Sequence, residues 1–386
     1  MTRTLFLSCL AALGLGLAAA CSPSDDTPTG CDGVRIERFR ELVIVDEAVV
    51  SGARASNAAR GPFGFAHAMV ELGGGEREAR ELARGWLAAW DAAEQGRVRA
   101  RVTCPWLRRT AGNGCDTSCA RCEREELDLD VAPFRLAAIA NRLDLGEHPD
   151  ALSDAGEGRL VFALVDGAGD DPRAPAMEAT VIFEYAQPGG RLERAAAWHA
   201  LSRHVDVDDA YQDALARVTE AFVARRGGGP PALAQIRVDD AAIAPSPVLR
   251  ELALDPTGRA LVFRGLRNTP RPDLDADDAL ARWVRANEDD ILHDRHVVPE
   301  AMRAASIGRG GRWALPSAKE DTRKAFSLGT CNGCHGDEAA TLGGFHVSPS
   351  ERGPARLSRF LHDPGHGRSD DLARREDFAA GILCRP

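Results

Sequence analysis

Two apolar runs, GRLVFALVD at 158–166 and EATVIFEYA at 178–186, set the strongest limit on what this chain can fold into. Each is rich in β-branched and aromatic residues, and a Gly/Asp/Pro-rich loop separates them, so they read as paired strands. Strand-like runs return at 234–239 and 248–264, with Asp255-Pro256-Thr257-Gly258 as the turn. Helical patterns surround them. Leu82, Trp86, Leu87 and Trp90 within 76–93 mark one inward face. Residues 133–143 and 192–202 read as further helices, and 208–226 as one capped by Asp208 or Asp209 and ended by Gly227-Gly228-Gly229-Pro230. Beyond a Pro-containing passage near 270, helices are expected at 279–294, 322–329, 354–363 and 370–383. The fold class is therefore α+β, with antiparallel strands in a mixed N-terminal and central region (36–270) and a mainly helical C-terminal segment (271–386). No repeat of fixed period is present.

The chain opens MTRTLFLSCLAALGLGLAAAC: Arg3, an apolar run from Leu5 to Leu17, then three alanines before Cys21. This is the pattern of an export signal over 1–20, too short to span a bilayer. Residues 21–35 include SPSDDTPTG, polar and Pro-rich like a disordered tether. Net charge is −10 with basic residues scattered along the chain, which gives nucleic acid no footprint. Searches for G-x-S-x-G, H-E-x-x-H, a P-loop and a dinucleotide glycine motif fail.

Export places the cysteines in an oxidising compartment, where pairing is the default. Apart from Cys21, the mature chain holds eight: Cys31, Cys104, Cys115, Cys119, Cys122, Cys331, Cys334 and Cys384. Four of them crowd into the Pro- and Gly-bearing loop 104–122, where two disulfides are favoured over a four-thiolate zinc site. Assigning Cys331 and Cys334 elsewhere leaves six, still even, so parity does not decide their role.

Residues 331–335 read CNGCH. With ten cysteines and ten histidines in 386 residues, chance would produce CxxCH in well under about one such chain in a hundred. Three chemistries use this spacing. Two thiols three residues apart reach the two vinyl groups on one edge of a haem, and the adjoining His335 then lies under the iron. A disulfide could instead close Cys331 on Cys334 or bridge either to Cys384. Zinc would take both cysteines with two of His335, His346, His362 and His366, at a spacing wider than that of small zinc sites. Other polar clusters have simpler accounts. Asp273, Asp275, Asp277 and Asp278 lack the Gly and Glu of a calcium loop and read as helix caps. Glu184 and His199 could meet in a cleft, with His148, Asp154 and Glu157 in a nearby loop, but such residues routinely occupy solvated faces.

Three resemblances follow from these residues. Small residues followed at once by Cys21 resemble a bacterial lipobox, although Leu17 stands four residues before the cysteine rather than three; this implies a lipid on Cys21 and a membrane-anchored protein of the cell envelope, facing the periplasm or exterior. The segment from Phe326 through CNGCH and Gly336 resembles class I cytochromes c. That resemblance implies covalent haem c on Cys331 and Cys334, His335 as proximal iron ligand and a redox partner protein. It covers some fifteen residues and has two departures: Phe326 lies five residues before Cys331 rather than four, and no methionine follows Met302. The second axial ligand would then be His346, His362 or His366. Longer strings, among them FRLAAIANRLDL, TVIFEY, RANEDDILHDRHVVP and FSLGTCNGCHG, resemble a group of exported proteins from myxobacteria and relatives, which implies one composite architecture and no activity. The leading expectation is an exported monohaem c-type cytochrome-like lipoprotein. A disulfide-stapled binding or structural lipoprotein without cofactor, and a zinc-binding envelope protein, are the alternatives.

Overall fold

The strands expected at 158–166 and 178–186 lie at the centre of one antiparallel sheet. In the computed structural model the described residues are 34–244, 248–275, 277–308, 310–339, 341, 344–350, 353–363 and 370–384. The export signal, Cys21, Cys31 and His366 lie outside them. The sheet runs in chain order through β1 (Val43–Ile44), β2 (Phe134–Arg142), β3 (Glu157–Val165), β4 (Ala176–Ala186), β5 (Leu233–Asp239), β6 (Val248–Leu254) and β7 (Leu261–Arg264). A last strand, β8 (Ser306–Gly308), also pairs with β6. Among the described residues, no helix is long and apolar enough to cross a membrane.

Residues 133–143 were expected as a helix; they form β2. The alanines of FRLAAIANR favour helix locally, but the segment pairs with β1 on one side and β3 on the other. Seven of its nine residues are buried, and burial on a pleated surface overrides propensity.

Helices α1 (Glu47–Val50), α2 (Phe65–Gly73), α3 (Glu76–Ala93), α4 (Cys104–Arg109), α5 (Arg191–His199) and α6 (Asp209–Val223) belong to the N-terminal and central region. Helices α7 (Asp278–Ala286), α8 (Glu288–Leu292), α9 (Glu320–Leu328), α10 (Cys331–Cys334), α11 (Arg359–His362) and α12 (Asp371–Cys384) follow. Asp208 caps α6 by accepting from Tyr211 N, and Asp277 caps α7 by accepting from Ala279 N. The expected helix 279–294 divides at Asn287 into α7 and α8. The one expected at 354–363 is cut to α11, because Arg356–Leu357 pair as β10 with β9 (Val347–Ser348).

Period-two alternation gives the sheet two different faces. Leu160, Phe162, Val181, Phe183, Tyr185, Ile236 and Leu252 point into the main core with Phe65, Trp86, Trp90 and Trp106. Phe65 stacks on Phe134 at 4.3 Å and meets Phe162 and Phe183 edge-on at 5.6 and 5.8 Å. The opposite face carries Val161 and Ala163, packed with Leu361, Leu372 and Ala379 of the C-terminal segment. On this second face charged residues also stand in cross-strand register. Arg159 faces Glu184, Arg237 faces Glu251, and Glu251 faces Arg264. Both carboxylates are fully buried.

Phe65→Ala removes the ring at the centre of the aromatic cluster. Urea denaturation should show a loss of about 3–5 kcal/mol.

Candidate functional site: a cavity bearing the CNGCH motif

The approach to CNGCH is held by apolar and polar contacts together. Phe326 of α9 is buried against Trp283 and Trp313, with ring centres 6.1 and 5.8 Å away. Trp313 Nε1 donates to Thr330 Oγ1 at 3.0 Å and to Asn332 Oδ1 at 3.2 Å. Thr330 is also the cap of α10, accepting from Gly333 N. Cys331 N donates to Thr269 Oγ1 at 2.8 Å, which ties the motif to the segment that follows β7. Gly333 is required by space alone: a Cβ there would lie 2.1 Å from Ser327 O.

Cys331, Cys334, His335 and His346 all line one cavity of about 600 Å³ between the charged face of the sheet and the C-terminal segment. Arg142, Arg159, Glu184 and Arg237 form its sheet wall. The lining thus comes from both sides of position 270. Its size falls within the roughly 300–1,000 Å³ of small-molecule and cofactor sites.

His335 Nδ1 donates to Gly344 O at 2.6 Å, with Asp239 Oδ2 3.8 Å away. Nδ1 therefore carries a proton. Cys334 Sγ lies 3.1 Å from His346 Nε2, and His346 Nδ1 lies 3.0 Å from Ser358 Oγ. Burial pushes the Cys334 thiol up to about 12, with Asp371 and Cys331 adding to it. Burial and the neighbouring His335 push His346 well below the ordinary imidazole range. Thiol and imidazole are both neutral, so S–H donates to Nε2 and Nδ1–H donates to Ser358. Burial likewise raises Cys331, although Arg237 opposes it.

Cys331 and Cys334 are unbridged thiols. The motif therefore does not close on itself. Cys384 is already in a disulfide, so it does not bridge to Cys331 or Cys334. The staples lie elsewhere, as Cys104–Cys119 and Cys115–Cys122. The sulfurs of Cys115, Cys119 and Cys122 converge within 4.8 Å, but all three are consumed in those disulfides. Around CNGCH, no three His, Cys, Asp or Glu donors among the described residues come within that distance of one another.

The loosely drawn group of Glu184, His199, His148, Asp154 and Glu157 is not brought together as one site. Glu184 and His148 line the cavity. His199 instead pairs with Glu41 at 3.1 Å, and Glu157 binds Arg159 and Arg267. Glu184 was expected on a solvated face; the C-terminal segment covers it and its exposure is 0 %. His362 does not line the cavity, whereas Phe360 and Leu361 beside it do.

Sequence reasoning also missed the group under α12. Arg142 Nε pairs with Asp144 at 2.9 Å, and Arg374 Nη2 reaches Asp144 at 2.7 Å and Asp371 at 2.9 Å. Arg375 pairs with Asp371. Burial alone would raise Asp144, but Arg142 and Arg375 overcome it and hold Asp144 well below the usual range. Burial would likewise raise Asp371, which Arg375 and Arg142 bring down to about 2. The only sequence signal is the pair of arginines one residue apart from each other and three and four residues after Asp371, at helical spacing.

No protein-family model matches the chain, and neither does any curated protein or solved structure.

Two measurements check this geometry. Without reductant, the unfolded haem-free chain should expose Cys331 and Cys334 to alkylation, and the folded chain should label Cys334 at least about tenfold more slowly at pH 8. Peptide mapping reads both rates. Carboxylates held below their unfolded values stabilise fully above about pH 4 and lose that contribution as pH falls toward 2. Urea midpoints should therefore drop over that window, and Asp371→Asn should flatten the drop.

Proposed function

We propose that this chain is an exported monohaem c-type cytochrome-like lipoprotein, anchored through Cys21 and working in electron transfer or other haem redox chemistry at the cell envelope. One observation carries the reading: both thiols of CNGCH stand unbridged on the wall of the same 600 Å³ cavity as His335. In an exported chain whose other described cysteines are disulfide-bonded, an unbridged CxxCH pair with Cys331 buried and Cys334 half-buried is the exception that calls for a reaction partner.

The residues present fit the group. Cys331 and Cys334 would hold haem c through thioethers, and His335 would be its proximal ligand. The Gly344 carbonyl fixes the tautomer that leaves Nε2 as donor, a contact that orients metal-ligating histidines generally and raises their basicity. The haem supplies one-electron chemistry when bound. His346 is the available second ligand. Its ring centre lies 4.9 Å from that of His335, so it would be the nearest imidazole to a metal held by that residue. The zinc alternative is less well supported, because no preassembled set of three donors surrounds the motif among the described residues.

Co-expression of the full chain with a cytochrome c maturation system should give haem that survives a denaturing gel and a pyridine haemochrome spectrum of two thioethers. Cys331→Ala should leave one thioether, and the double variant with Cys334→Ala should lose covalent haem. A colourless wild-type protein, beside a control cytochrome that loads normally, would sink the reading.

A further inference from the structure

The end of the cavity under α12 has more positive charge than its own carboxylates balance. Among the described residues, Arg142, Arg374 and Arg375 pair there with Asp144 and Asp371, and Glu157 adds a more distant negative charge near Arg142. Arg142, Arg374, Arg375 and Asp371 line the cavity, while the Asp144 side chain is buried at 2 % exposure. Arg375 is 7 % exposed, and its buried Nε has no hydrogen-bond partner among the described residues. A buried guanidinium N–H without an acceptor is costly to leave unmet. An apolar wall of Val347, Phe360 and Leu361 borders the same cavity.

We propose that Arg375, backed by Arg142 and Arg374, forms a subsite for a carboxylate carried on an apolar or aromatic body. The carboxylate supplies a further acceptor for the cavity-lining guanidinium of Arg375 and added negative charge for the three guanidinium groups. Charge-assisted bonds of this kind are about twice as strong as neutral ones, and a planar guanidinium suits a carboxylate in particular. The depressed proton affinity of Arg375, drawn down to about 10 by burial and by Arg142, agrees with a cation short of counter-charge. Apolar side chains alongside give the body of the ligand a place, which separates this site from one for inorganic anions. Two sources share the chemistry. One is a carboxylate of the covalently held haem, which rests on the reading above; the other is a free aromatic or aliphatic acid, which does not.

Benzoate and its neutral isostere benzamide are the probes. In the full chain made without a haem-attachment system, benzoate should raise the melting temperature and benzamide should not. Arg375→Gln should weaken benzoate binding about tenfold or more by titration calorimetry. If that variant does not fold by circular dichroism, Arg375→Lys, which keeps charge but loses the planar guanidinium, serves for the same comparison. Equal shifts with benzoate and benzamide, or unchanged benzoate affinity in the Arg375 variant, would overturn the subsite. In haem-loaded wild type, loss of the benzoate response together with poorer haem recovery in the Arg375 variant assigns the site to a haem carboxylate. Persistence of the response assigns it to a free acid. Wild-type protein that takes no haem yet binds benzoate through Arg375 removes the haem reading and leaves the subsite standing.

Discussion

Glu184 and Glu251 have no solvent exposure, and much of the molecule is arranged around that fact. A buried carboxylate is tolerated only with paired charge and hydrogen bonds, and removing one partner of such a pair typically costs about 3–5 kcal/mol. Here the partners come from neighbouring strands. Arg159 Nη1 lies 3.1 Å from Glu184, Arg264 Nε lies 2.7 Å from Glu251, and Arg237 stands between the two at 3.6 and 3.5 Å. The ladder of alternating sign makes the second face of the sheet a fixed, polar wall. Cover for that wall comes from the C-terminal segment, and the cavity is the space left between them.

The C-terminal segment is joined to the sheet by three different kinds of contact. β8 adds backbone pairing to β6. Leu249 and Leu266 enter the same apolar cluster as Phe326 and Cys331. The Thr269 hydroxyl accepts from Cys331 N, so the first residue of the motif is positioned directly by the chain that leaves β7. A site assembled this way inherits the rigidity of the sheet, although its reactive residues sit on the short α10 and the turn after it.

Much of this was legible in the residue pattern. Runs rich in β-branched and aromatic residues marked β3 and β4, strand-like runs marked β5 to β7, the four large residues of 76–93 lie on one buried face of α3, and Asp208 and Asp277 cap the helices they precede. The failures have physical causes. FRLAAIANR has the composition of a helix and becomes a strand because neighbours exist on both sides, which no local window reports. Residues 354–357 lose their helix to pairing with Val347–Ser348. Glu184, Arg237 and Glu251 alternate with apolar residues in the way a solvated face does. Only the fold shows that something lies on top of them. The motif itself was visible in five letters, but the arginines under α12 were not, because Arg142 is more than two hundred residues from the helix it meets.

The Gly344 carbonyl, the Ser358 hydroxyl and the buried wall around Cys334 bear on time as well as on geometry. Thiol oxidation proceeds through the thiolate, and with its thiol pushed up to about 12 by burial, Cys334 stays protonated near neutral pH. Folding therefore acts as a protecting group. The pair is masked by the same packing that stations it on the cavity wall, while the four cysteines of the 104–122 loop are joined in disulfides.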